Sequence, residues 1–259
     1  MLFDYHVHTR YSDDSNAAVI EQLTAARNAG VTHICFTDHV DFDGIGLHPA
    51  DIAARNAEIE SLKGQFPDMD ISFGMELGMK DRAACEGAYR HVRGCHIDFV
   101  IGSVHIVDGV DAYYPEYFEG RSREEAYLAY IEKDLECIRV SDFSVMGHYD
   151  FCAKHSPYPD RSMSYSLAPE VFDGIFRELI SRGKAFEVNT SAWRGSASWG
   201  LDILRRYREL GGEYVTTGSD AHRPGSVGNR LNEALEMIHA AGIPYVATFK
   251  NMQPIMHRV

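Results

Sequence analysis

The chain has 259 residues and a formal charge of −13, from 25 Lys and Arg against 38 Asp and Glu. That length suits one large α/β domain with a sizeable core, and hydrophobic and charged contents of 45% and 24% are those of an ordinary globular protein. The acidic balance argues against a nucleic-acid binder, which would carry a basic face, and no apolar stretch approaches the length of a membrane span.

Strand-like and helix-like runs alternate from end to end. Residues 2–7 form an apolar run ending on His6-Val7-His8, so the N-terminus passes straight into a strand and candidate ligands, with no room for a signal peptide. A helical periodicity over 17–29, stopped by Gly30, precedes a strand over 31–37 that ends in Thr37-Asp38-His39. The pattern then predicts a helix over 49–65 and a strand over 71–75 leading to Glu76, which Gly74 and Gly78 flank. A strand over 97–104 ends at His105. Ser122-Arg123-Glu124-Glu125 has the spacing of a capping box and starts a helix over 123–140, with Tyr127, Ile131, Leu135 and Ile138 along one face as core. A strand over 143–147 ends at His148. The alternation continues through helix 169–181, strand 185–189, helix 201–210, strand 214–218 and helix 228–241, with Gly183, Gly211 and Gly242 as helix stops. Ser219-Asp220-Ala221-His222 follows the last of these strands, and residues 244–249 read as an eighth strand or a tail.

Such alternation implies a parallel sheet with right-handed crossovers, here in one domain over residues 1–259. The loops over 108–121 and 152–166 are rich in Tyr, Pro and Gly, follow ligand-bearing strands, and are expected to act as lids. Five cysteines form no CxxC pair and read as reduced thiols, and the chain reads as cytoplasmic.

The chemistry lies at the strand ends. His6 and His8 are two apart on a strand, so both project to one face and can hold one ion. A single histidine is more often structural than a ligand. Six of them at successive strand ends (His6, His8, His39, His105, His148 and His222), with Glu76 and Asp220 in similar positions, reverse that reading. Imidazole and carboxylate suit Zn, Fe(II) and Mn, and the C-terminal mouth of a parallel barrel is where such folds place their chemistry. The residues therefore point to a multinuclear metallohydrolase. His33, His48, His91, His96, His155, His239 and His257 lack this placement and read as structural or solvated, although His48 and His155 lie on mouth loops.

The series His-x-His, Asp-His, Glu, His, His and Asp-x-His resembles the polymerase-and-histidinol-phosphatase (PHP) domain, and within it the histidinol-phosphate phosphatases. Further likenesses are Tyr5-His6-Val7-His8-Thr9, Ser12-Asp13-Asp14-Ser15, Glu187-Val188-Asn189-Thr190-Ser191 and Ser219-Asp220-Ala221-His222-Arg223-Pro224, and the resemblance runs from residue 2 to about 249. It implies an α/β fold, a distorted (β/α)7 TIM-like barrel holding three divalent ions (Zn, Fe or Mn) at the C-terminal mouth. It also implies the ligands: His6, His8, Glu76 and Asp220 for the first ion; Glu76, as a bridge, with His105 and His148 for the second; Asp14, His39 and His222 for the third. Asp14 is chosen over Asp13 from its offset after His-x-His. Asp38 is expected to support His39 rather than bind.

The implied reaction is hydrolysis of L-histidinol phosphate to L-histidinol and phosphate, a step of histidine biosynthesis. The partner is a small phosphomonoester, with neither nucleic acid nor membrane. Metal coordination lowers the pKa of water from about 15.7 toward roughly 7 and so supplies a hydroxide nucleophile. Arg161 and Arg194 are expected to clamp the phosphate, with Arg223 third, because a guanidinium meets phosphate oxygens bidentately. Asp14, His39 or a metal-bound water remains the source of the leaving-group proton. Tyr117, Tyr158 and Asp41 are the mouth-loop candidates for recognising imidazole and amine. Competing readings within the resemblance are a protein-tyrosine phosphatase, a nucleotide phosphatase and a DNA-repair phosphoesterase, the last disfavoured by charge. A urease-type amidohydrolase needs a bridging lysine at a strand end, whereas Lys184 sits at a strand start. A non-catalytic module would lack ligands that are all filled here.

Overall fold

The computed structural model describes residues 1–193 and 200–259. Its elements in chain order are β1 (Phe3–Val7), α1 (Val19–Asn28), β2 (His33–Phe36), β3 (His39–Val40), α2 (Ile52–Leu62), β4 (Asp70–Gly78), α3 (Arg82–His91), β5 (Phe99–Ser103), β6 (Ile106–Val107) and β7 (Val110–Asp111). They continue with α4 (Arg123–Val140), β8 (Val145–Met146), α5 (Pro169–Ser181), β9 (Ala185–Asn189), α6 (Leu201–Glu209), β10 (Tyr214–Gly218), α7 (Leu231–Ala240), β11 (Tyr245–Lys250) and β12 (Gln253–Arg258).

β1, β2, β4, β5, β8, β9 and β10 lie side by side in that order, all parallel, and a helix follows each before the next begins. Strands covered on both faces leave no position to solvent, and β1, β5, β9 and β10 are buried throughout, polar residues such as Asp4, His6 and Glu187 included. The two ends of the row meet. Val7 bridges to Ala221, the His8 N–H donates to the Ala221 carbonyl at 3.0 Å, and the Thr217 hydroxyl donates to the Phe3 carbonyl at 2.5 Å. The result is the distorted (β/α)7 barrel.

Helix faces follow the same logic. α5 buries Phe172, Ile175, Phe176 and Leu179, and the Phe176 ring lies 5.5 Å from Phe186 of β9 and 5.4 Å from Tyr207 of α6. Each such side chain contributes about 1.5–3 kcal/mol by leaving water. The capping box at Ser122 forms, with the Ser122 N–H donating to Glu125 Oε2 at 2.8 Å.

Residues 244–249 resolve as a strand, but one that turns back. β11 pairs parallel with the start of β10 and antiparallel with β12, a hairpin beneath the barrel where Phe249 packs 4.9 Å from Phe99 and its N–H donates to the Tyr5 hydroxyl. α3 has no counterpart among the predicted helices. Its buried face is Ala84, Cys85, Gly87 and Ala88, small residues without the large apolar period, and its clearest local sign is Asp81 capping the Ala84 N–H at 2.9 Å. The segment 108–121 is ordered too: β6 and β7 form a hairpin, and Tyr117 is buried with its hydroxyl on the Ala126 carbonyl.

Candidate active site

The strand ends open into one cavity of about 660 Å³ whose lining includes Glu76, His105, His148, Asp220, Asp14 and His39. β2 and β3 continue one register on β4, pairing Phe36 with Phe73 and His39 with Glu76, so the gap at Thr37 and Asp38 sets His39 directly beside Glu76. Asp220 occupies the left-handed region at φ 54°, which short polar side chains tolerate and which ends β10 abruptly.

Glu76 is the centre. Its Oε2 lies 3.2 Å from His6 Nε2, 3.4 Å from His8 Nε2 and 3.2 Å from His39 Nδ1, and its Oε1 lies 3.3 Å from His105 Nε2 and 3.0 Å from His148 Nε2. Asp220 Oδ1 faces the imidazoles of His6 in β1 and of His8 just after it, at 3.6 Å and 3.4 Å. Asp14 Oδ2 reaches His222 Nε2 at 2.9 Å and His39 Nε2 at 3.4 Å. All nine residues expected as metal ligands thus converge. Asp13 turns away to His48, 2.7 Å from its Nδ1.

The outer nitrogens of three histidines are held. His6 Nδ1 lies 2.7 Å from Glu187 Oε1, His105 Nδ1 3.2 Å from Asp41 Oδ2, and His8 Nδ1 3.3 Å from the Ser12 hydroxyl. With the proton on Nδ1, each leaves an Nε2 lone pair aimed at the centre, the usual arrangement behind a metal-bound imidazole. Nε2 of His6, His8 and His105, Nδ1 of His39 and Glu76 Oε2 are all buried with no hydrogen-bond partner. Unmet groups of this kind cost about 1–3 kcal/mol each, and divalent cations match both the donor set and its spacing. Five groups of three or four ligand atoms lie close enough to share an ion, drawn from the nine expected residues and Asp41.

Electrostatics agree with that. Burial opposes a charge on His6, but Glu187, Glu76 and Asp220 outweigh it and raise its pKa well above the ordinary value. Burial likewise opposes ionisation of Glu76, yet the surrounding His6, His39 and His105 hold it well below the usual carboxylate range. For His39, burial is overcome by Glu76, Asp14 and Asp41, and its pKa rises to about 9. His8 and His148 run the other way, burial holding both below the ordinary value.

Asp38 reaches His39 through Ser12 and the backbone, while several other expectations need correction. The Asp38 carboxylate accepts from the Thr9 N–H at 2.6 Å and the Ser12 hydroxyl at 2.9 Å, and Ser12 in turn accepts the His39 N–H at 3.1 Å. Tyr117 and Tyr158 do not line the cavity; the Tyr158 hydroxyl donates to the Arg121 carbonyl. Arg161 is not among the cavity-lining residues, and its guanidinium reaches the Lys154 carbonyl at 3.3 Å. Arg223 lines the rim, and Arg194 lies outside the described residues.

Other functional positions carry no local signal. Glu187, known from sequence only as part of a motif, accepts from His6 at one oxygen and from the His148 N–H (3.1 Å) and Asn189 Nδ2 (3.0 Å) at the other. Gly218 is glycine because a Cβ there would come within 2.3 Å of Glu187 Oε1 and 2.4 Å of His6 Cβ. Lys154, buried in the cavity wall, pairs with Asp220. Asp41, Asp43, Asp111 and Tyr113 line the cavity as well. Lys184, the only counterpart of an amidohydrolase lysine weighed from sequence, pairs with Asp142 and does not line it. The five cysteines are free, and no helix among the described residues is long and apolar enough to cross a membrane.

Known proteins share this plan. The model of the PHP domain family matches residues 4–191. A histidinol-phosphatase of Lactococcus lactis is 30% identical over 96% of this chain and 95% of its own, and a probable histidinol-phosphatase of Deinococcus radiodurans is 30% identical over 98% and 99%. The crystal structure of histidinol phosphate phosphatase from Lactococcus lactis, complexed with zinc, L-histidinol and phosphate, superposes with a TM-score of 0.90 at 29% identity, covering 98% of both chains. Its family, the metal-capable centre and the barrel agree: the chain belongs to the PHP domain family.

Proposed function

We propose that this chain is a histidinol-phosphatase, hydrolysing L-histidinol phosphate to L-histidinol and phosphate. The observation that carries the reading is the meeting of nine ligand-type side chains around one centre, in a chain similar along nearly its whole length to proteins named for that activity. In this reading three divalent ions (Zn, Fe or Mn) are held by His6, His8, Glu76 and Asp220; by Glu76, His105 and His148; and by Asp14, His39 and His222. When bound, such ions supply a water that ionises near neutral pH and neutralise charge on the phosphoryl group.

The chain's own groups divide the remaining work. Glu187, Asp41 and Ser12 orient His6, His105 and His8 from behind. Asp14 and His39 lie on the cavity surface, where they can exchange a proton with the leaving oxygen. Arg223 sits at the rim to receive phosphate, and Arg194 keeps that assignment as an expectation from sequence. Within the same lining, Asp43 and Asp111 with the ring of Tyr113 suit a leaving group that is cationic and flat, as the ammonium and imidazole of histidinol are.

Phosphate release from L-histidinol phosphate, phosphotyrosine and a nucleoside monophosphate, each with Mn, Zn or Fe(II), tests the proposal. A preference in kcat/KM of a hundredfold or more for histidinol phosphate, about 2.7 kcal/mol in transition-state binding, is expected. Comparable turnover of phosphotyrosine would replace the substrate while keeping the chemistry.

A further inference from the structure

Lys154 is the feature of the cavity that the ligand set does not explain. It follows β8 on the loop from His148, is 8% exposed, and lines the cavity. Its ammonium pairs with Asp220 Oδ2 and lies 5.1 Å from the centre of the Phe151 ring. Lys154 is thus a buried cation set in the cavity wall against a carboxylate. It and Arg223 are the only lysine or arginine in the cavity lining among the described residues, and Arg223 is exposed at the rim.

Burying an ammonium costs several kcal/mol unless it is well paired. The backbone holds this one in place. The Lys154 N–H donates to the Phe151 carbonyl at 3.1 Å, and its own carbonyl accepts from Arg161 at 3.3 Å. Asp220 is steadied in turn by the Ser191 hydroxyl, which reaches Oδ2 at 3.2 Å. An ammonium has three N–H donors, and one carboxylate engages one of them. The remaining two are available to an anion on the cavity side, one carboxylate away from the His6 and His8 nitrogens.

We propose that Lys154 is a phosphate-binding side chain of this site, its ammonium donating to a non-bridging oxygen of the phosphoryl group and of product phosphate. Resting on the phosphatase reading, the assignment gives Arg161 a positioning role: its guanidinium braces the Lys154 carbonyl.

The test uses the metal-loaded protein with inorganic phosphate as the probe. Lys154→Met keeps the aliphatic stem and removes the charge, and Lys154→Arg restores the charge. Phosphate affinity by calorimetry, product inhibition, KM and metal content are measured for each. Expected for Lys154→Met are a tenfold or greater loss of phosphate affinity, a matching rise in KM and an unchanged metal content. Lys154→Arg should recover most of the loss. Phosphate affinity within twofold of the parent overturns the proposal, as does a loss that merely tracks lost metal in both variants. Phosphate binding does not depend on the leaving group. A chain that preferred another phosphomonoester would thus lose the histidinol assignment and leave this one standing.

Discussion

Replacing Glu187 by glutamine changes one oxygen to an amide nitrogen at a buried position, with little change of shape. Both carboxylate oxygens accept: Oε1 from His6 Nδ1 at 2.7 Å, Oε2 from the His148 N–H at 3.1 Å and Asn189 Nδ2 at 3.0 Å. Glutamine offers an acceptor on one side only, so whichever way it turns, a donor meets a donor. A buried donor left unmet costs about 1–3 kcal/mol. Loss of a group that orients a metal-ligating histidine typically weakens the ion by ten- to hundredfold, about 1.4–2.7 kcal/mol. The expected result is therefore a loss of that size in metal affinity, measured by chelator competition with metal analysis at each step. Gly218→Ala should do the same by another route, since its Cβ would press on Glu187 Oε1 at 2.3 Å and His6 Cβ at 2.4 Å. An affinity within twofold of the parent in Glu187→Gln would refute the orienting role.

Three further outcomes follow from the same geometry. Tyr130→Phe removes a buried hydroxyl that donates to the Val104 carbonyl at 2.7 Å, just before His105, and should cost about 1 kcal/mol in urea unfolding while metal content holds. Arg206 clamps Asp173 through bonds of 2.8 and 2.7 Å and, as the leading cause, lowers the Asp173 pKa to about 2. A depressed carboxylate pKa stabilises the fold above the unfolded value near 4, and the benefit fades as pH falls toward 2. Arg206→Ala should thus be less stable at pH 7, with the gap closing below pH 4; a gap that persists there would point to packing instead. Arg194→Ala should raise KM for the phosphomonoester tenfold or more with metal content intact, and an unchanged KM would remove Arg194 from the phosphate clamp.

The sequence alone determined the βα alternation and the chemical type of the centre, because both are written locally. A strand's two-residue period and a helix's 3.6-residue period survive in any short window, and a histidine or carboxylate at the end of an apolar strand is visible without knowing its neighbours. α3 escaped because its buried face is made of small residues, and the hairpin of β11 and β12 because it breaks the alternation. What only the tertiary structure decided is who stands behind and beside the ligands. Glu187 meets His6 across 181 residues and Asp41 meets His105 across 64, contacts that no local period encodes. Arg161 and Lys154 share one loop, yet the path of that loop turns the lysine into the cavity and leaves the arginine holding its backbone. Residue type limits what a side chain can do, but direction comes from packing, and packing belongs to the whole chain.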